Sequence, residues 1–140
     1  MFVDILVLKF LFVISGIESN YGADLNHRTI ASESSIHFGE AAIGLYALMP
    51  NTIRMLKKDP NRLKIDSGYE KQVAQSYALK ILKVAKGCPL RASILWLKGP
   101  NSRPVAADYS SIRYKKFISE WEALTRIPIE KDPLILRYCQ

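Results

Sequence analysis

The chain opens on a nearly unbroken apolar run over residues 2–17, interrupted by Asp4 and Lys9 and closed by Glu18 and Ser19. A membrane-crossing helix needs roughly 20 apolar residues, and a secretory signal needs a positive start, an uninterrupted apolar middle and a small-residue cleavage site. This run is shorter than the first and carries Asp4 ahead of its only lysine. It therefore reads as a helix over residues 1–19, apolar nearly all round because it is buried on all sides. Cleaving it as a leader would remove most of a helix that the fold needs.

A polar stretch follows through Asn20, Gly22, Asp24, Asn26 and the cluster Ser32, Ser34, Ser35, long enough to border or cover a site. Residues 41–50 predict a short apolar helix that Pro50 ends or kinks. Asn51 or Thr52 can cap a further short helix carrying Ile53, Met55 and Leu56. Between residues 69 and 86, Val73, Ala74, Tyr77, Ala78, Ile81, Leu82 and Ala85 recur at helical spacing, with Gly87 as terminator. Pro89 suits the first position of another helix, which runs to Trp96 or Leu97 before Gly99-Pro100 breaks it. From 109 to 124, Ile112, Phe117, Trp121 and Leu124 suit one buried stripe. The tail, about residues 125–140, carries Pro128 and Pro133 and is expected to lie extended on the surface. With no internal repeat and no set of alternating strands, the pattern predicts a mainly α fold.

At 140 residues the chain fits one domain spanning 1–140, with too little length for two cores. The formal charge of +7 points to a polyanionic partner: nucleic acid, an anionic membrane, or the acidic sugar-peptide wall of bacteria. The basic residues are spread from Lys9 to Arg137, densest at Lys57-Lys58 and Lys115-Lys116. Such spacing suits a solvated helical surface, and no helix-turn-helix or zinc-finger pattern accompanies it. Neither nucleic-acid binding nor stable membrane insertion is expected. Cys88 and Cys139 are too few for a disulfide framework and lie in no metal or redox spacing, which leaves a single disulfide open. His27 and His37 read as loop histidines, and no metal site is expected.

The chemistry concentrates at Glu18. A carboxyl at the end of a buried helix is desolvated, which disfavours the charged form. A carboxyl that keeps its proton near neutral pH is what a glycosidic oxygen requires as general acid.

Ile17-Glu18-Ser19 after an apolar helix, then Ala42-Ile43-Gly44-Leu45, then Leu48-Met49-Pro50-Asn51-Thr52, resembles the soluble lytic transglycosylase family and its goose-type lysozyme relatives. That family shows a Glu-Ser pair, a Gly-Leu-Met-Gln and a Met-Pro in this order. Gln72-Val73-Ala74 with Tyr77 is similar to the family's following helix. Leu95-Trp96-Leu97-Lys98-Gly99-Pro100 stands where the family has Ala-Tyr-Asn-Ala-Gly-Pro. Tyr114-Lys115-Lys116-Phe117 looks like its late tyrosine-containing helix. The likeness covers roughly residues 5 to 120. Tyr46 and Ala47 replace the Met-Gln, and Leu97 replaces the asparagine, so two polar sugar-contacting groups are missing. The segment between Glu18 and Gly44 is also longer than in the commonest members.

The resemblance implies a lysozyme-like fold with a buried central helix ending at the catalytic Glu18, acting on peptidoglycan glycan strands. Ser19 is that residue's customary neighbour and Tyr114 its orienting hydrogen-bond donor, with Tyr109 an alternative. Gly44 and Leu45 would let backbone approach the sugar, and Tyr46 and Trp96 would offer flat faces or serve as core packing. The reaction needs no cofactor. It would take place in the bacterial wall or periplasm, for a bacteriophage or a bacterial secretion apparatus, and nothing fixes an oligomeric state. Three other readings stand beside it. One is lysozyme-type hydrolysis, with Glu33 or Glu40 as the second carboxyl. Another is a wall-binding protein without turnover. The third is a basic nucleic-acid binder, motivated by charge alone.

Overall fold

In the computed structural model, which describes residues 2–23, 25 and 40–140, the apolar opening run forms α1 (Phe2–Ser19). The remaining helices among the described residues are α2 (Pro50–Met55), α3 (Pro60–Ile65), α4 (Ser67–Val84), α5 (Pro89–Lys98), α6 (Ile112–Thr125) and α7 (Pro133–Tyr138). Two short 3-10 turns, Ala106–Ser110 and Ile129–Lys131, lead into α6 and α7. The protein is mainly helical, as the periodicity implies. No helix among the described residues is long and apolar enough to cross a membrane.

The core forms where α1 packs on α4, α5 and α6. Phe10, Val13 and Ile14 of α1 are wholly buried. The Phe10 ring meets Trp96 of α5 edge-on at 5.7 Å and Phe117 of α6 at 5.8 Å. On α4 the buried positions 70, 73, 74, 77, 78, 81 and 82 follow the helical repeat and make one stripe. The expectation that α1 is covered on all sides fails at Ile5, Leu8 and Phe12, each about half exposed. α4, α5 and α6 enclose one face of α1 and leave this second apolar stripe outside.

Local chemistry sets the helix ends. Asp59 and Asp66 are N-caps of α3 and α4, accepting from the Asn61 and Tyr69 N–H groups, which satisfies donors that lack an intrahelical partner. α4 closes on Gly87, at φ +83°, whose N–H donates to the Leu82 carbonyl at 2.8 Å. The Tyr138 ring sits where a side chain at 87 would go. The next residue, Cys88, is disulfide-bonded to Cys139.

Three expectations are corrected. Residues 41–49 are not helical. They form a tight turn closed by Ile43 and Leu48, which exchange backbone hydrogen bonds at 2.8 and 3.1 Å. Gly44 (φ +76°) and Ala47 (φ +53°) adopt left-handed backbone that no right-handed helix contains, and Pro50 starts α2 rather than ending a helix. The tail is not extended, since Asp132 caps and Pro133 opens α7, and Ile135 joins the core. Finally, only Phe117 and Trp121 of the proposed α6 stripe are buried. Ile112, in the first turn, is 88% exposed, and Leu124, near the other end, lies at the surface.

Candidate functional site

Glu18 sits in the last turn of α1, and its carboxylate forms an ion pair with the Arg113 guanidinium of α6. The Glu18 side chain is 12% exposed and that of Arg113 26%. The contact is an ion pair without hydrogen-bond alignment, because Glu18 Oε1 and Arg113 Nη2 are both shielded from solvent yet make no aligned hydrogen bond. A second link joins the same two helices. Just beyond α1, Tyr21 folds back over Gly16 and against Phe12, and its hydroxyl donates to Glu120 Oε2 at 2.5 Å. Burial first, then the Glu120 hydrogen bond and charge, push the Tyr21 hydroxyl up to about 12. Arg113, Phe117 and Glu120 fall on one face of α6, so two polar contacts flank an apolar one and fix the carboxylate-bearing end of α1.

Ser19 connects this end to the 43–48 turn. Its hydroxyl lies 2.8 Å from the Leu45 carbonyl and 3.0 Å from the Ser15 carbonyl. A hydroxyl has one proton to give, and the shorter contact is to Leu45. The same oxygen accepts from the Gly22 N–H at 3.0 Å. The Leu45 N–H donates to Glu70 Oε2 at 3.0 Å. The Trp96 indole N–H donates to the Tyr46 carbonyl at 3.1 Å. The turn is thus fastened to α1, α4 and α5 at once.

Five residues singled out in the sequence therefore converge: Ser19, Gly44, Leu45, Tyr46 and Trp96 form one constellation beside Glu18. Tyr46 is half-buried against the core, and its hydroxyl is pushed up by burial and then by the negative charge of Glu70. Trp96 is a core residue, 7% exposed, packed on Phe10 and on Tyr77 at 4.8 Å. Its ring faces inward, and its polar edge anchors the turn. Tyr114 does not reach Glu18. Its ring stands edge-on to Tyr109 at 5.2 Å, and its hydroxyl is raised by burial and then by Tyr109. The α6 residue that touches Glu18 is its neighbour Arg113.

Glu40 is paired with Arg54 at 2.6 Å. Glu33, His27, His37 and the polar stretch centred on them lie outside the described residues. A groove of about 570 Å³ opens between α1 and α4, lined by Val7, Leu8, Tyr69, Gln72 and Leu79 among others. It shares no residue with the Glu18 constellation. Sequence reasoning missed Arg113 and Glu70. Arg113 resembles any surface charge in the sequence, whereas Glu70 carried a usable signal, since it occupies the first position of the buried α4 stripe.

Comparison of the chain with protein-family models, with curated proteins and with solved structures returns no match.

Proposed function

We propose that this chain is a peptidoglycan lytic transglycosylase that cleaves the β-1,4 bond between N-acetylmuramic acid and N-acetylglucosamine. The observation that carries this reading is the Ser19 hydroxyl on the Leu45 carbonyl, which joins the Glu-Ser and Gly-Leu segments across 26 positions. That the two segments resembling parts of one catalytic site meet in the fold supports reading them together.

In this mechanism Glu18 gives its proton to the glycosidic oxygen as the bond to the muramoyl anomeric carbon breaks. As carboxylate, it then takes the proton of the muramoyl 6-hydroxyl, which attacks that carbon and closes a 1,6-anhydro ring. One carboxyl serves both steps, so no partner carboxylate is needed across the bond. The Arg113 ion pair has to open before Glu18 can act in the first step. The +7 charge favours docking on an anionic wall. The Cys88–Cys139 disulfide suits an oxidising compartment such as the bacterial periplasm.

A second reading, a wall-binding protein without turnover, is favoured by the Arg113 contact, which occupies the carboxylate that would have to react. Digestion of purified sacculi by the wild type and by Glu18→Gln, with products identified by mass, separates the possibilities. Anhydromuropeptides from the wild type, reduced at least about 10²-fold in the variant, are the expected result. Reducing-end products would mean lysozyme-type hydrolysis. Sedimentation with sacculi and no product from either protein would leave the wall-binding reading.

A further inference from the structure

We propose that Glu70 is the positioning residue of this turn: from α4 it holds the Leu45 N–H and so fixes the backbone that the proposed function sets against the glycan. The glycan-facing part of this inference rests on the function proposed above. The holding part stands on geometry alone.

Leu45 is gripped on both sides of its own backbone. Its N–H goes to Glu70 Oε2 at 3.0 Å and its carbonyl receives the Ser19 hydroxyl at 2.8 Å. These two contacts, from α4 and α1, set the plane of the turn, while Trp96 holds the Tyr46 carbonyl from α5. Gly44 makes the Glu70 contact possible. At φ +76° it occupies backbone that favours glycine, and a Cβ there would coincide with Glu70 Oε2. A side chain at 44 and a carboxylate from 70 are mutually exclusive, so the glycine of the Gly-Leu pair serves the carboxylate behind the turn as well as any sugar in front of it.

Packing alone would not select a carboxylate here. Glu70 is 7% exposed and belongs to the stripe that Val73, Ala74 and Tyr77 continue. Burying a charge is strongly unfavourable unless hydrogen bonds compensate for lost water. A leucine at 70 would fill the stripe and leave the Leu45 N–H without its acceptor. Through Oε2, Glu70 accepts from a backbone donor of the turn, which is what a positioning role requires.

The test uses the full chain as wild type, Glu70→Gln, Glu70→Ala and Glu18→Gln, with two readouts: muropeptide release against sacculus concentration, and amide hydrogen exchange resolved by residue. Glu70→Gln keeps an oxygen for the Leu45 N–H and should stay near wild type in both. Glu70→Ala should speed exchange at Leu45 by about tenfold to a hundredfold, the factor expected from a lost buried hydrogen bond, while the α5 amides stay protected. Its KM should rise by about tenfold with kcat much less affected, the pattern of lost uniform binding. Unchanged exchange at Leu45, or a loss of protection spread evenly over the molecule, would overturn the positioning role. If Glu18→Gln digests sacculi as well as the wild type, the proposed reaction fails, and the exchange readout still decides whether Glu70 holds the turn.

Discussion

Replacing Cys88 and Cys139 together by serine should lower the melting temperature by about 14 °C. The bridge joins positions 51 apart in sequence, and closing a loop of that size removes unfolded-state entropy worth about 4 kcal/mol near room temperature. Unfolding entropy of about 2.1 cal/mol/K per residue gives roughly 0.3 kcal/mol/K for a chain of this length, so 4 kcal/mol corresponds to about 14 °C. The substitution is clean at position 88. Cys88 Sγ caps α5 by accepting from the Arg91 N–H at 3.3 Å, and a serine hydroxyl at an N-cap does the same or better. Calorimetry of the double variant, set beside the wild type with its disulfide reduced, measures the effect, and the two should agree. A shift below about 4 °C would refute loop restriction as the source of stability and would mean that the packing of Ile135 and the Asp132 cap hold α7 without the bridge.

Two further outcomes follow from buried polar groups. Asp132 accepts from the Trp121 indole N–H at 2.9 Å and from the Leu134 and Ile135 N–H groups, so Asp132→Ala should cost about 2–4 kcal/mol in urea unfolding, with Asp132→Asn milder. Burial pushes the Tyr77 hydroxyl up to about 12 from 10.0. Because the folded value lies above the unfolded one, the associated stability is complete below pH 10 and is lost as pH rises through about 12. It amounts to roughly 3 kcal/mol at most. Unfolding of wild type and Tyr77→Phe across that window should show the steeper alkaline loss in the wild type. Equal slopes would mean that Tyr77 carries none of it.

The elements that the sequence made legible are those with long, regular periodicity. The α4 stripe spans four turns and ends at Gly87, so its repeat outweighs local noise, and Pro89 with Gly99 brackets α5. The elements that were misread are short. The 43–48 turn is as apolar as a helix because it is packed against the core, and only Gly44 hinted at left-handed backbone. The two prolines of the tail suggest extended chain, whereas Asp132-Pro133 is an N-cap followed by a first-turn proline and starts a helix. At the candidate site, Glu18 and Ser19 are neighbours in sequence and so stand out together. Arg113 and Glu70 do not, because their roles depend on which helix faces which, and a single charge in a helical segment does not encode that.

The carboxylate of Glu18 is held by what other elements bring to it, the Arg113 guanidinium of α6 first among them. It rides on α1, whose buried Phe10 lies eight residues earlier and about 12 Å away along the axis. A rocking of α1 by only about 5° about Phe10 would swing the Glu18 end by about 1 Å, and under the proposed function a displacement of that size at the acid would cost about 10²-fold in rate. Repacking around Phe10, Trp96 and Phe117 would thus act on the proposed site as a lever against the Arg113 and Ser19 contacts, and variants far from Glu18 would change its aim without touching it.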